Sequence, residues 1–316
     1  MIIKLNEDIN FSTNITFIQA KNIDFTQNDF SKCFNKSDFY GNAPEGLKIY
    51  IDNQTPRLYR IIRNMLLSNV KFTGPTLEVA SGNGLLYPIL KNYFHDMIPY
   101  SIAELVINDS LIIDGEKIEC VQFECDKTEL PHVDNKFGSV IFFDTLEHLI
   151  VDPIWTILEF NRVLKKGGRI LIATPNAAST SKLSKIFYGI SPATENEFKP
   201  TAIYQRHNRE WTIDDLYKTL ECCGFGNCVF STNDYLINEN EVKMLKFARS
   251  LEFLGKPKAY YGPEIFCIAE KIEHKTIKMD LPKDERWPQF LYTSYDAYRK
   301  RPKTYPILVD INDYYQ

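Results

Sequence analysis

Gly82 and Gly84 close the run Pro75-Thr-Leu-Glu-Val-Ala-Ser-Gly-Asn-Gly-Leu-Leu-Tyr. Glycines between a strand and a helix let the backbone turn sharply and approach a ligand closely. The unbonded N–H groups at the start of the helix then face that ligand. Glu104 stands twenty residues beyond Gly84, near the end of a second apolar run. A carboxylate at such an edge accepts hydrogen bonds from both hydroxyls of a ribose. Asp126 follows a third apolar run as Phe123-Glu-Cys-Asp, where it is placed to receive the amino group of an adenine. The three features imply a nucleotide-like guest. The glycines alone are also compatible with a plain strand-to-helix turn.

These residues need strands and helices to hold them. Strands are expected over 76–80, 98–105, 118–125, 139–143, 169–174, 228–232 and 265–271. Several are nearly continuous in apolar residues, as strands covered on both faces are. A helix should begin at Gly84, with Leu85, Leu86, Ile89 and Leu90 on its buried face. Another runs from Pro56 to about Asn69. A third opens with Asp152 as N-cap and Pro153 at its first position, and carries Ile154, Ile157, Leu158 and Leu164 before Gly167-Gly168. A fourth is capped by Thr212, buries Ile213, Leu216, Leu220 and Cys223, and stops at Gly224. A further helix is expected near 240–254. Alternating strands and helices imply a doubly wound α/β sheet.

The chain has 316 residues, 44% hydrophobic and 25% charged, an ordinary globular profile. It contains no apolar run long enough to span a bilayer, and Met1-Ile-Ile-Lys-Leu-Asn-Glu-Asp lacks the pattern of a secretion signal. A cytoplasmic location is therefore expected. A net charge of −4 argues against a nucleic-acid backbone as the main partner. The seven cysteines, odd in number and set in apolar patterns, read as buried free thiols rather than a disulfide framework or a zinc site. Arg299-Lys300-Arg301-Pro302-Lys303 is a basic cluster in a Tyr-rich tail, expected to be solvated.

The order of segments resembles a class I S-adenosylmethionine (SAM)-dependent methyltransferase over about residues 75–272. The resemblance rests on Glu78-x-Ala80-x-Gly82-x-Gly84, on Glu104, on Asp126 before Leu130-Pro, and on the Leu146-Glu147-His148 turn. Arg162-Val-Leu-Lys-x-Gly-Gly and Thr174-Pro-Asn176 complete it. Ala80 departs from the family pattern by occupying its first glycine position. A dehydrogenase fits less well, because the loop lacks the full G-x-G-x-x-G pattern and the Leu-Glu-His turn has no role there. The implied fold is a seven-stranded, mostly parallel, Rossmann-like sheet. It would span residues 70–274 with insertions at 177–209 and 233–263, an N-terminal extension or lid at 1–69 and a tail at 275–316. By resemblance, Glu78 and the Ala80-Ser81-Gly82-x-Gly84 loop line the methionine part of SAM, and Glu104 holds the ribose. Asp126 and the Lys127 backbone hold the adenine, while Asp144 to Leu146 pass under the sulfonium.

The sulfonium is already activated, so such an enzyme mainly aligns its acceptor and excludes water. A hydroxyl acceptor needs a base or a metal to deprotonate it. His148 and His207 are the candidate bases. Each has a second reading, His148 as a group that orders its loop and His207 as part of the turn before the Thr212-capped helix. Asp144-x-x-Glu147-His148 also resembles the metal motif of ubiquinone-pathway O-methyltransferases and of small-RNA 2′-O-methyltransferases. On that resemblance Asp144, Glu147, His148 and His207 would hold Mg²⁺ or Mn²⁺.

Thr174-Pro-Asn followed by Arg206-His-x-Arg-Glu resembles methyltransferases that modify sugars of bacterial surface glycans. This implies a glycan or small-molecule acceptor and S-adenosylhomocysteine as co-product. Lys182, Lys185, Tyr188, Lys199, Tyr204 and Arg206 would form an acceptor lid, since cations and aromatics suit phosphates and sugars. Phe39, Tyr40 and Arg57 of the extension would close over the cofactor. An RNA 2′-hydroxyl or a phenol remains the alternative acceptor, and a SAM-binding module without catalysis the alternative role. The sequence leaves self-association open.

Overall fold

The computed structural model describes residues 15–18, 25–35, 41, 44–80, 82, 84–105, 110–113, 115–193, 206–233, 261–277 and 291. In chain order the strands are β1 (Thr16–Phe17), β2 (Thr76–Val79), β3 (Tyr100–Glu104), β4 (Ser110–Ile113), β5 (Glu116–Gln122), β6 (Phe137–Phe143), β7 (Leu164–Pro175), β8 (Phe225–Asn233) and β9 (Glu264–Lys271). The helices are α1 (Gln27–Asn35), α2 (Glu45–Leu67), α3 (Tyr87–Tyr93), α4 (Pro153–Val163), α5 (Thr180–Phe187) and α6 (Ile213–Cys222).

All nine strands form one sheet, in the order β1-β8-β9-β7-β6-β2-β3-β5-β4. The pairs β7–β6, β6–β2, β2–β3 and β3–β5 are parallel. Strand β9 runs antiparallel to both neighbours. The chain winds outward from β2 through β3 to β5, then returns to β6 on the other side. The order therefore switches between β2 and β6, and a ligand crevice opens beyond the carboxyl ends of strands at such a point.

Alternation along the strands makes two cores. Val140, Phe142, Ile170 and Ile172 pack with Ile154, Trp155, Leu158, Leu216 and Leu220 of α4 and α6. Ile141, Phe143, Leu171 and Phe266 face the other way, against Ile61, Ile62 and Met65 of α2 and Leu90 of α3. Phe25 and Phe30, beside and within α1, join that second core, so the described part of the N-terminal segment is one of the layers covering the sheet. The six described cysteines whose side chains are placed are free thiols, five of them buried.

All seven expected strands form, with two more at the edges. Strand β4 pairs antiparallel with β5, and β1 adds two residues beside β8. Helix α4 is capped as expected, with the Asp152 carboxylate accepting from the Ile154 amide at 2.9 Å. Helix α6 carries a full capping box between Thr212 and Asp215, and Gly224 follows it at φ 85°.

Three expectations shift. Helix α2 starts at Glu45 and takes Pro56 into its interior. A 23-residue helix with a buried face tolerates one missing N–H donor. Helix α3 begins at Tyr87 rather than Gly84, because residues 84–86 form a turn in which the Tyr87 amide bonds the Gly84 carbonyl. Leu164 is extended (φ −74°, ψ 140°) and opens β7 rather than ending α4. The helix expected near 240–254, the basic cluster at 299–303, and Ser81, Phe39, Tyr40, Lys199 and Tyr204 lie outside the described residues. Among the described residues no helix is long and apolar enough to cross a membrane.

Candidate active site

In the turn after β2, all three described residues among 80–84 are left-handed: Ala80 (φ 56°), Gly82 (φ 60°) and Gly84 (φ 80°). A Cβ on Gly84 would lie 2.5 Å from Ile113 Cδ1 and 3.0 Å from Ile102 Cδ1, whereas a Cβ on Gly82 would meet nothing within 4 Å. Gly84 is thus required by packing beneath the turn, and Gly82 leaves space above it. Ala80 adopts a conformation that favours glycine, and its methyl group packs against the core.

A cleft of about 220 Å³ opens beside this turn at the switch point. Its wall comprises Val79, Ala80, Glu104, Leu105, Phe123, Glu124, Cys125, Thr145, His148 and Leu149. Two carboxylates, Glu104 at the end of β3 and Glu124 beyond β5, thus stand on a wall that is otherwise largely apolar. Larger cavities of about 440 and 550 Å³ lie against β1 and β8 at the far edge of the sheet. They contain none of the expected site residues, whereas the smaller cleft is lined by Ala80, Glu104 and His148.

The other expected cofactor residues are placed differently. Asp126 is fully buried and turns toward the next loop, accepting from the amides of Ile150 (2.6 Å) and Val151 (3.1 Å). Burial pushes its carboxyl up, and those amides partly oppose the rise. Cys125, not Asp126, reaches the cleft wall. The Lys127 amide is committed to the Glu124 carbonyl at 3.1 Å. Glu78 is buried beneath the turn, accepting from the Tyr100 hydroxyl. Burial raises its pKa to about 8, with the nearby Glu104 charge pushing the same way and the Tyr100 bond opposing. Leu146 belongs to the core. Asp144, immediately after β6, pairs with Arg57 of α2 at 3.2 Å, and Arg57 also approaches Glu264 at 3.9 Å.

The Leu146–His148 turn carries the second cluster. One potential ligand atom each from Glu147, His148 and His207 lies within 4.8 Å of the others, while Asp144 stands outside this group. The segment around His207 is laced onto the turn, which explains why the two motifs belong together. The amides of Asn208 and Arg209 donate to the Glu147 carbonyl at 2.8 and 3.2 Å, and Asn208 Nδ2 donates to the His148 carbonyl at 2.9 Å. His148 Nδ1 donates to the Arg206 carbonyl at 3.0 Å, which leaves Nε2 carrying the lone pair of the neutral ring. His207 Nδ1 meets Glu210 Oε1 at 3.3 Å. The two rings pack edge to face, 4.9 Å between centroids. Glu147 is buried and accepts from Thr174 Oγ1 at 2.9 Å. Burial raises its pKa to about 8, and the Asp144 charge adds to the rise. Sequence reasoning noted Thr174-Pro-Asn176 as a motif but not its use. Thr174 holds Glu147, and Asn176 staples the end of β7 to Gly262 and, through a bridge, to Trp211.

Lys182, expected on an acceptor lid, is instead buried and paired with Glu210 at 2.5 Å. Tyr188 is exposed, and Arg206 Nε donates to Asn208 Oδ1 at 2.7 Å.

A doubly wound sheet with a glycine turn and a carboxylate flanking its switch point is the arrangement seen in nucleotide-binding α/β folds. Residues 77–172, from β2 into β7, match the family model described as "Methyltransferase domain". Residues 77–172 thus carry a methyltransferase domain. The matched span holds the cleft and the Leu-Glu-His turn but stops before α5 and His207. No curated protein sequence matches the chain. Among solved structures, one similar in fold is a Bacillus halodurans protein described as a candidate methyltransferase (20% identity, 67% of this chain and 99% of that chain, TM-score 0.43). A SAM-dependent methyltransferase from Archaeoglobus fulgidus is 15% identical over 71% of this chain and 99% of its own, with a TM-score of 0.44. Another from Mesorhizobium loti is 12% identical over 64% and 94%, with a TM-score of 0.40.

Proposed function

We propose that the chain methylates a hydroxyl group, that of a sugar in a glycan or nucleotide-linked precursor, with His207 as proton acceptor. The observation that carries this reading is the position of His148, which lines the cleft beside Glu104 and also packs against His207. An acceptor seated on the imidazole pair is therefore adjacent to the cofactor cleft. When bound, SAM supplies an activated methyl group. Glu104 would accept from its ribose hydroxyls, Phe123, Cys125 and Leu149 would enclose the base, and the space above Gly82 would admit the methionine part. Asp126 shapes this slot through the 150–151 amides.

On the acceptor side, a carboxylate partner at Nδ1 raises the basicity of His207 Nε2. His148, backed by a neutral carbonyl, orients the acceptor. The sugar assignment is supported by the polar side chains gathered there (His148, His207, Arg206, Asn208), which suit a hydroxyl-rich ligand. Mass-spectrometric screening of nucleotide sugars for gain of one methyl group tests it. Turnover of phenols or of RNA in place of sugars would overturn it.

A second reading has an observation of its own. Glu147, His148 and His207 together offer one carboxylate and two imidazoles whose Nδ1 atoms are already engaged, the arrangement that orients metal ligands. A divalent ion there would lower the pKa of a bound hydroxyl. Loss of turnover in EDTA with recovery in Mg²⁺ or Mn²⁺ supports this reading, and indifference to chelator removes it.

A further inference from the structure

We propose that Lys182, carried into the site by α5, is a positioning residue for His207, holding Glu210 so that Glu210 fixes the tautomer of the imidazole. The proposal rests on the reading of His207 as proton acceptor. The two links differ in strength. Lys182 Nζ lies 2.5 Å from Glu210 Oε2, whereas Glu210 Oε1 lies 3.3 Å from His207 Nδ1. The shorter contact is a shielded ion pair, and we take it as the one that sets where the carboxylate sits. All three side chains are shielded, at 6% exposure for Lys182, 14% for Glu210 and 8% for His207. In such a setting an ionised carboxylate, which can only accept hydrogen bonds, imposes Nδ1–H on the ring and leaves the lone pair on Nε2.

The platform beneath Lys182 is firm. Helix α5 is tied down by the Thr180 amide and hydroxyl, which both donate to the Tyr261 carbonyl, at 2.9 and 3.1 Å. The Ser179 amide donates to the Asn176 carbonyl at 3.2 Å, fixing the start of α5 to the end of β7. A lysine buried at the expense of hydration, and aimed at a carboxylate that touches the base, is costly unless it is fully paired. The insertion therefore orders the base as well as bordering the acceptor. A lysine on an open lid would do neither.

The test is a long-range ¹H–¹⁵N spectrum of the full chain labelled with ¹⁵N-histidine, with His207 assigned by its loss in His207→Gln. Wild type should show Nδ1–H at His207. Lys182→Met should convert it to a tautomer mixture, and Lys182→Arg should retain the wild-type pattern. Glu210→Gln, whose amide can donate or accept, provides a second variant if Lys182→Met fails to fold, and it too should give a mixture. In parallel, kcat in Lys182→Met should fall at least ~10-fold while the KM for SAM stays within about 2-fold, since the effect is on the base and not on the cofactor cleft. An Nε2–H tautomer in wild type, or an unchanged Nδ1–H in both variants, overturns the proposal. Wild-type Nδ1–H that is lost in the variants, with no methyl transfer to any hydroxyl, would sink the base reading and leave the positioning role standing.

Discussion

Gly82 and Gly84 are two residues apart, and both have positive φ, yet substitution should damage different properties at each. In Gly82→Ala the added Cβ meets nothing within 4 Å, so the folding cost is backbone strain alone. Left-handed strain for alanine is roughly 1–2 kcal/mol. The reduced entropy of the unfolded chain offsets about 0.4–1 kcal/mol of that. The net cost of about 0.5–1 kcal/mol corresponds to a fall in Tm of only ~1–4 °C. In Gly84→Ala the same strain applies, and the Cβ also lies 2.5 and 3.0 Å from the buried tips of Ile113 and Ile102. Displacing two core side chains adds roughly 1–3 kcal/mol. A Tm fall of about 3–16 °C follows. For SAM the order reverses. Gly82→Ala fills the space proposed for the cofactor and should weaken binding at least ~10-fold, about 1.4 kcal/mol. Gly84→Ala, whose methyl group points beneath the turn, should weaken it less. Differential scanning fluorimetry and titration calorimetry on both variants make the comparison. If Gly82→Ala is the less stable variant, or binds SAM like wild type, the division of roles is wrong.

Three further outcomes are expected. The folded-state pKa of Glu78, about 8 against an ordinary 4.5, means that the native state keeps a proton the unfolded chain releases. That contribution is full below pH 4.5 and disappears as pH rises through 8, so thermal melts should show stability declining over this window. Glu78→Gln should flatten the decline; an unchanged slope would show that Glu78 is ionised in the fold. Arg57→Ala leaves Glu264, 1% exposed, without that cation, and should cost ~2–4 kcal/mol in denaturant melts. Adding Glu264→Gln should recover part of the loss, and strict additivity of the two substitutions would deny the coupling. Thr174→Val should leave Tm within a few degrees but lower kcat, because it removes the donor to Glu147; unchanged kcat would make that bond dispensable.

Much of the architecture was legible because it rests on patterns that burial imposes. Strand β6 and the 170–173 stretch of β7 are apolar on both faces, and the Asp152 and Thr212 caps announce α4 and α6. What stayed hidden depended on tertiary context. On β4 Leu111 and Ile113 turn inward while Ile112 is 74% exposed, an alternation too short to mark a strand in sequence. Pro56 reads as a helix start, yet the apolar face of α2 carries the helix through it. At the site, Glu104 and the glycine turn fall where their positions after strands suggest. Asp126 does not reach the cleft, because a carboxylate after a strand can cap a neighbouring loop as readily as a ligand. The pairing of His207 with His148 is reached only through the resemblance of their two motifs, and the Lys182–Glu210 link behind it joins α5 to the turn before α6. Spacing along the chain carries no trace of such contacts.

The central claim is that the cleft beside Glu104 binds the methyl donor. Titration calorimetry of the wild type with SAM and with S-adenosylhomocysteine, repeated on Glu104→Ala, tests it most directly. The expected result is micromolar binding of both molecules by wild type and at least ~10-fold weaker binding by the variant, the loss of a charge-assisted pair of hydrogen bonds. Absence of binding to either molecule, or equal affinity in the variant, would contradict the account.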